Sequence, residues 1–370
     1  RRKIPYVTIE QRFGERIKEV KMSKKKIGLV FGGQSGEHEV SCVSAANVFR
    51  ALDQNKYDIV PIGIKKDGSW NIYTGGPDKI ETGEWKTDTE NLKENIEVFT
   101  ELKDLDLIFP VLHGPMGEDG TIQGVFEMLG VPYVGCGVTA SAAGMDKIFS
   151  KVVFEAADIP SCRWLPVTRY DWKHERDRIE DEIVAKLGLP VFVKPANMGS
   201  SVGITKAHDE DELYAAIDKA FEYDRRIIVE AFVNAHEVET AVLEENGNIQ
   251  LAVPGEIIPA KEFYDYEAKY QSGDKSVIVI PPHLEQDILD QLLVYSKKAF
   301  QALDCTGLAR IDFFVDKDTE EIFINEINTL PGFTDISMYS KMWETAGVPY
   351  KELVERLVHT AATKKNPTTK

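Results

Sequence analysis

The sequence predicts an α/β protein whose first part is a parallel sheet covered by helices on both faces. Three observations carry this. Short apolar runs that read as buried strands alternate with segments of helical spacing. Gly-rich loops follow the strand ends, where open parallel sheets place their ligands. The composition is globular, with 43% hydrophobic and 28% charged residues over 370 positions, enough apolar side chain for a sizeable core. That length fits two or three domains.

In chain order, Ile27–Phe31 is an apolar strand running into the loop GGQSGEHE. Val40–Leu52 follows with helical spacing (Val40, Val43, Ala46, Val48, Leu52). Tyr57–Ile64 reads as a second strand, Leu105–Leu112 as a buried strand ending at His113, Thr121–Leu129 as a helix and Val131–Val134 as a strand. Residues 32–39 and 113–120 therefore lie at a candidate site. A second region starts near Met145. It holds the strand Leu189–Lys194, a helix Asp209–Phe221 with an acidic first turn, and the strand Arg226–Glu230. A third starts near Glu237, with strands Glu237–Leu243, Gln250–Val253 and Val277–Ile280 and the helix Leu284–Leu303. Its strands Leu308–Val315 and Glu321–Ile327 are joined by the short polar stretch 316–320, which predicts a β-hairpin. Tyr350–Thr363 is a closing helix.

The charge balance narrows the function classes. With 44 Lys+Arg and 61 Asp+Glu the net charge is −17, which argues against a nucleic-acid or membrane surface but leaves room for a local anion pocket. No apolar run approaches the roughly 18 residues of a membrane helix. The four cysteines are far apart and form no CxxC pair, which speaks against a disulfide framework or zinc site and fits a reducing cytoplasm. Residues 1–21 begin with Arg and read as a non-native or leader segment, with Met22 a natural start; residues 365–370 read as a polar tail.

Five stretches carry candidate chemistry. In GGQSGEHEVS (32–41), two glycines end a strand and the loop feeds a helix, whose first N–H groups attract anions. The spacing is not GxGxxG, so a dinucleotide site is not supported. Glu37 and His38 are placed to read a substrate ammonium or carboxylate; the plainer reading is a βα turn with solvated charges. In LHGPMGEDGTIQG (112–124), His113 is either a satisfied structural histidine or a site residue, and Asp119 or Gly120 caps the next helix. In VFVKPANMGSSVG (191–203), a buried strand delivers Lys194 to a loop with Gly199, Ser200, Ser201 and Gly203. Such a loop can close over phosphates, and its Lys-first order excludes the Walker pattern. The alternative is a surface loop beside a snorkelling lysine.

The fourth stretch is the strand pair GLARIDFFV and EIFINEINTLPGF. Alternation puts Arg310 and Asp312 on one face, and Glu326 and Asn328 on one face of the partner strand. Pairing can bring Asp312, Glu326 and Asn328 together, an oxygen set without His or Cys that suits Mg²⁺ rather than zinc. The plainer reading is a salt bridge from Arg310 to one carboxylate. The fifth, KEFYDYEAKYQSG (261–273), reads as an ordered loop or lid in which Lys269 and Tyr270 could face a site.

Taken in order, GGQSGEHEVS, LHGPMGEDG, MDK (145–147), VKPANMGSSVG, FYDYEAKY, ARID and NEINTLPGFT resemble the D-alanine–D-alanine ligases of the ATP-grasp superfamily, from about Lys26 to about Val358. The resemblance implies an ATP-grasp fold with an N-terminal Rossmann-like domain. Its parts would be 22–144, a central subdomain 145–236 and a C-terminal domain 237–364. It implies ATP-driven joining of two D-alanine molecules through an acyl phosphate, with ADP and phosphate released, for a cell-wall peptide precursor. ATP and two Mg²⁺ (or Mn²⁺) would serve as cofactors. It further implies a cytoplasmic homodimer with no nucleic-acid or membrane partner.

The resemblance also implies residue roles. Glu37 would bind the first D-alanine's ammonium, with His113 at the same substrate site. Lys147, Lys194 and Lys269 would reach phosphate, with Ser200 and Ser201 in the loop above it and Ser200 linked to Glu37 and Tyr270. Glu230, Ala231, Phe232 and Val233 would form the adenine-side hinge, Phe263 would line the adenine pocket, and Glu237 would take the ribose hydroxyls. Asp312, Glu326 and Asn328 would hold the metals. Arg310 and the Gly332 N–H would form the oxyanion hole, and Ser337 and Met338 would bound the second subsite. Tyr270 argues for dipeptide over D-lactate ester formation, while a D-serine product stays open. A nucleotide-binding module without catalysis does not account for the retained Lys194, Arg310, Asp312, Glu326 and Asn328. A nicotinamide oxidoreductase lacks its GxGxxG.

Overall fold

The structure, a computed structural model, describes residues 24–259 and 277–364. The expected lid residues Phe263, Lys269 and Tyr270, the leader and the tail lie outside the described residues. Three sheets organise the described residues.

The first contains β1 (Lys25–Gly32), β2 (Tyr57–Ile64), β3 (Trp70–Tyr73), β4 (Leu92–Lys93) and β5 (Leu107–Val111), in the order β4-β3-β2-β1-β5. β1 pairs in parallel with β2 and β5, and β3 and β4 add an antiparallel edge that the sequence reading lacked. Helices α1 (His38–Ala51), α2 (Pro77–Thr82), α3 (Val98–Lys103) and α4 (Thr121–Leu129) accompany it. β1 is apolar throughout its buried length because helices cover both its faces. The strand expected at 131–134 contributes one bridge, Tyr133 to Ile108. Pro132 lacks an N–H, and Gly135, at φ +104°, turns the chain away after two rungs.

After α5 (Val138–Met145) and α6 (Lys147–Ala156) comes the second sheet, all antiparallel, in the order β6-β9-β7-β8. Its strands are β6 (Trp164–Thr168), β7 (Val191–Pro195), β8 (Thr205–Ala207) and β9 (Arg226–Ala231); its helices are α7 (Arg169–His174), α8 (Arg176–Leu187) and α9 (Glu210–Tyr223). Ile183 of α8 and Leu213 and Ile217 of α9 bury against Val193 and Val229. Asp209 starts α9 by accepting the Glu212 N–H at 2.9 Å, and the acidic first turn favours the positive end of the helix.

The third sheet runs β13-β12-β10-β14-β15, with β11 beside β10, all antiparallel. Its strands are β10 (Ala235–Glu245), β11 (Asn248–Leu251), β12 (Gly255–Ile258), β13 (Val277–Val279), β14 (Leu308–Asp316) and β15 (Ile322–Asn328). Helix α10 (Gln286–Ala302) covers one face; α11 (Met338–Thr345) and α12 (Tyr350–Thr363) close the chain. The two-residue alternation decides what β14 shows to each side. Ile311, Phe313 and Val315 bury against Leu292, Ala299 and Phe300 of α10, which leaves Arg310 and Asp312 on the opposite face.

Two packing results position the site. Residues 138–159 sit against the third sheet, with Phe154 and Ile159 in one core with Phe300 and Ile324. And Phe333 ties the first sheet to the C-terminal helices, with ring centroids 6.0 Å from Phe109, 5.8 Å from Tyr339 and 5.5 Å from Tyr350. The Tyr350 hydroxyl also donates to the Phe333 carbonyl at 2.9 Å. The loop between β15 and α11 is therefore held at its middle.

Candidate active site

The three regions converge on a cavity of about 930 Å³. From the first region it receives Glu37, at the start of α1, and His113 and Glu118, from the loop after β5. The Ser200 hydroxyl donates to Glu37 Oε1, joining the first region to the loop after β7. Ser35 accepts the Glu37 N–H at 3.2 Å and donates to the His113 carbonyl at 2.7 Å, which locks the two loops together. His113 is buried with both ring nitrogens engaged: Nδ1 meets the Leu330 carbonyl at 3.1 Å and Nε2 the Ser44 hydroxyl at 3.2 Å. Burial lowers its pKa and Glu37 only partly offsets this, which favours the neutral ring. His113 thus forms a fixed wall of the site.

His38 is corrected by the structure. It is fully buried, meets the Gly33 carbonyl at 2.7 Å through Nδ1 and stacks near Trp85 at 6.3 Å between centroids. It turns from the cavity into the first region's core because α1 places adjacent residues on different faces.

The second region contributes lysines. Lys147 opens α6. Its ammonium donates to the Met198 carbonyl at 2.8 Å and lies 3.8 Å from Glu326. The preceding Asp146 accepts the Ile148 and Phe149 N–H groups (3.0 and 3.1 Å), pairs with Arg226 and takes a hydrogen bond from Asn197 (3.2 Å). This anchors the base of the Ser200 loop. At its tip Ser200 and Ser201 have φ of 49° and 60°, two consecutive non-Gly residues in the left-handed region, and such strain concentrates at functional loops.

Lys194 lies behind the cavity wall, paired with Glu230 and 3.4 Å from Asn325 Oδ1. Glu230 also pairs with the fully buried Lys151 at 2.8 Å. Burial alone would raise the Glu230 carboxyl; Lys151 and Lys194 outweigh it and push it down to about 2. Burial likewise works against the charge on Lys194, and Glu230 more than offsets it, so its pKa is raised. In the expected hinge two backbone N–H groups are engaged within the protein. The Ala231 N–H donates to Arg163 (2.9 Å) and the Phe232 N–H to Pro190 (3.2 Å). Phe232 is exposed, under Lys206 at 3.9 Å, and residues 230–233 and Ser201 lie outside the cavity lining.

The third region brings the expected hairpin set together. Asp312 pairs directly opposite Glu326, and Arg310 opposite Asn328, with an irregularity after Asp312. Arg310 donates to both Asp312 oxygens (2.8 and 2.7 Å), and Asn328 Nδ2 donates to Asp312 Oδ2 (3.0 Å). The plainer salt bridge therefore forms within the set. Burial opposes the charge on Arg310; Asp312 and Glu239 reverse this and raise its pKa. Among the described residues no three His, Cys, Asp or Glu side chains form a metal cluster. Two carboxylates and an amide oxygen nevertheless fit Mg²⁺, which takes few protein ligands and fills its shell with water and phosphate. Glu239, Asp312 and Glu326 stand abreast on three strands, an arrangement that a cation relieves.

At the far end, Gly332, Ser337 and Met338 line the cavity. The Ser337 hydroxyl accepts the Thr334 N–H at 3.0 Å and meets its hydroxyl at 2.7 Å. Glu237 lines the cavity from β10.

Sequence reasoning missed three charged residues. Glu239 shares a strand face with Glu237 two positions earlier, and Lys151 shares a helix face with Lys147 four positions earlier, so both had a periodic signal. Glu118 had none. Its carboxylate accepts the Gly114 N–H at 2.7 Å; enclosure by protein and then Glu37 push its pKa up to about 8.

A cavity walled by an antiparallel sheet, by α6 and the loop after β7, and by the loops of a Rossmann-like sheet is the arrangement of an ATP-grasp enzyme. The family models described as D-ala D-ala ligase N-terminus and C-terminus match residues 26–136 and 153–359. D-alanine–D-alanine ligase of Clostridium acetobutylicum is 50% identical over 343 residues, covering 93% of this chain and 99% of that protein. The same-named protein of Acetivibrio thermocellus is 47% identical, covering 93% and 97%. Among solved structures, the VanG D-Ala:D-Ser ligase of Enterococcus faecalis is 36% identical with a TM-score of 0.82, covering 91% and 99%. The D-alanine–D-alanine ligase of Coxiella burnetii is 33% identical with a TM-score of 0.77, covering 92% and 94%. The chain belongs to the D-alanine–D-alanine ligase family.

Proposed function

We infer that this enzyme joins two D-alanine molecules to D-alanyl-D-alanine, converting ATP to ADP and phosphate, for a peptidoglycan precursor. The observation that carries the reading is the single cavity in which Glu37, Lys147, Arg310 and the Asp312–Glu326–Asn328 set face one another. A carboxylate is a poor acyl donor, so the first D-alanine carboxylate attacks the γ-phosphate and acquires a leaving group. The second D-alanine's amino group then attacks the acyl phosphate.

Each residue has a place in this scheme. Glu37, held by Ser200, receives the first ammonium. Lys147 and Lys194 neutralise phosphate, with Lys269 from the loop outside the described residues and the Ser200–Ser201 loop above. Glu237 takes the ribose, and Glu230, Ala231, Phe232, Val233 and Phe263 bound the adenine end. Asp312, Glu326 and Asn328 would hold two Mg²⁺ or Mn²⁺, which screen the approach of one anion to another. Arg310 and the Gly332 N–H receive the charge of the tetrahedral intermediate. Ser337 reads the second carboxylate and Met338 bounds its methyl. Water must be kept from the acyl phosphate, a task for the 261–273 segment.

The proposal extends to domains 22–144, 145–236 and 237–364 and to a cytoplasmic homodimer. Among the described residues no helix is long and apolar enough to cross a membrane. The test is phosphate release with ATP, Mg²⁺ and D-alanine, with D-serine or D-lactate offered as second substrate. D-alanine-dependent release with dipeptide product is expected; its absence sinks the reading. Likeness to the D-Ala:D-Ser enzyme makes a dominant D-serine product the outcome that would redirect it. Tyr270→Phe should raise ester formation with D-lactate relative to dipeptide.

A further inference from the structure

Glu239 has no part in the roles above, yet it faces the reaction. It sits on β10 directly opposite Asp312, which sits opposite Glu326, so three carboxylates run abreast across three strands. It lines the cavity at 7% exposure. Its Oε2 lies 2.9 Å from Arg310 Nε, an ion pair and not a hydrogen bond, because the single Nε–H is directed at Asp312. The same Nε donates to Asp312 Oδ1 at 2.8 Å, and Arg310 Nη2 reaches Asp312 Oδ2 at 2.7 Å.

We propose that Glu239 is a positioning residue for Arg310, holding the guanidinium on its cavity-facing side of the sheet while Asp312 serves a cation. The inference rests on the roles given to Arg310 and Asp312 above. Asp312 is asked to serve twice, as an anchor for Arg310 and as a metal ligand. A carboxylate that gives lone pairs to a cation holds a guanidinium less firmly. Arg310 then needs a second anchor that does not compete for the metal. Glu239 supplies it from the neighbouring strand, on the side of Asp312 away from Glu326. A salt bridge made only for stability explains less. Asp312 already binds Arg310 with both oxygens, and a further carboxylate beside it adds like-charge repulsion. The repulsion makes sense where a metal must be admitted without releasing the arginine.

The test compares Glu239→Gln, which keeps shape and removes charge, with the parent enzyme. The expected result is a fall in kcat of roughly ten- to hundredfold, the scale for a misplaced catalytic group. ADP affinity by calorimetry and KM for ATP should stay within about twofold. Mn²⁺ binding to the enzyme–ADP complex, read by electron paramagnetic resonance without D-alanine, should weaken, because Arg310 then leans on Asp312 alone. In an Arg310→Lys background the same substitution should add under about twofold to either loss, since it acts through the guanidinium. An unchanged kcat in folded Glu239→Gln, additive losses in the cycle, or an equal loss of ADP affinity overturns the proposal. If Glu239→Gln does not fold, Glu239→Asp, which withdraws the carboxylate by one methylene, carries the same expectations. Intact kcat in Arg310→Lys removes the underlying reading, whereas an impaired Arg310→Lys with a silent Glu239→Gln removes only this inference.

Discussion

The Ser200 hydroxyl donates to the carboxylate of Glu37, a residue 163 positions earlier on the first sheet's loop. One hydrogen bond thus joins the proposed phosphate loop to the group proposed to receive the first ammonium. Gly114 keeps this approach open. It has φ +72°, and a Cβ there would come within 2.6 Å of Glu37 Oε2.

Glu37→Gln keeps the hydrogen bond to Ser200 and removes the charge. A lost hydrogen bond to a charged group costs about 1.5–3 kcal/mol, so KM for the first D-alanine should rise roughly tenfold to a hundredfold. ADP affinity by calorimetry should hold within about twofold. Equal weakening of nucleotide and D-alanine would place Glu37 in the nucleotide site instead.

Arg310→Ala removes a donor aimed at developing charge, so kcat should fall roughly 10²-fold or more with nucleotide binding nearly intact. Steady-state rates beside an ADP titration decide it. A parallel loss of ADP affinity would move Arg310 from the acyl centre to the phosphates.

Glu118 predicts an unusual pH dependence of stability. Its folded carboxyl is raised to about 8 from 4.5, first by enclosure and then by Glu37. Between those values the folded state holds a proton that the unfolded chain has released, so stability falls as pH rises from about 4.5 to about 8. Glu118→Gln should flatten that decline in urea-unfolding midpoints. The same slope in the variant would assign the decline to other groups.

Glu230 carries the opposite sign. Its carboxyl is depressed to about 2 because Lys151 and Lys194 outweigh burial, so its contribution is present above 4.5 and is lost as pH falls toward 2. Lys151→Met leaves a buried carboxylate with one partner fewer, and breaking such a pair costs roughly 3–5 kcal/mol. Chemical unfolding at pH 7 should show a loss on that scale. A change under about 0.5 kcal/mol would mean that Lys194 alone satisfies Glu230.

What was legible follows from periodicity. The hairpin set could be read because two-residue alternation fixes a face and a short polar turn fixes pairing, so Asp312 met Glu326 as expected. The boundaries of β2, α4 and α12 matched their apolar patterns. His38 was misread because its neighbour Glu37 does face the site, and a helix sends consecutive residues in different directions. The packing of 138–159 on the third sheet was hidden because partner choice is a long-range property that no local window contains. Glu118 was hidden because its position depends on a turn that returns to the Gly114 N–H, not on a repeat.

Gly255 gives the last prediction, on the second subsite. It pairs with Glu239 on β10, and a Cβ on it would lie 2.7 Å from Met338 Sδ and 3.1 Å from Ile280 Cγ1. Met338 is a flexible side chain that lines the cavity, so Gly255→Ala can be accommodated by moving the thioether rather than by breaking the sheet. Movement away from β12 carries the side chain toward the space proposed for the second D-alanine. KM for the second D-alanine should therefore rise several-fold, while KM for ATP and for the first D-alanine stays put. D-serine, one oxygen larger, should be excluded more strongly than D-alanine. Met338→Ala in the same chain should restore both, since it removes the group that was pushed. If Gly255→Ala leaves both second-substrate constants unchanged, Met338 does not bound that subsite.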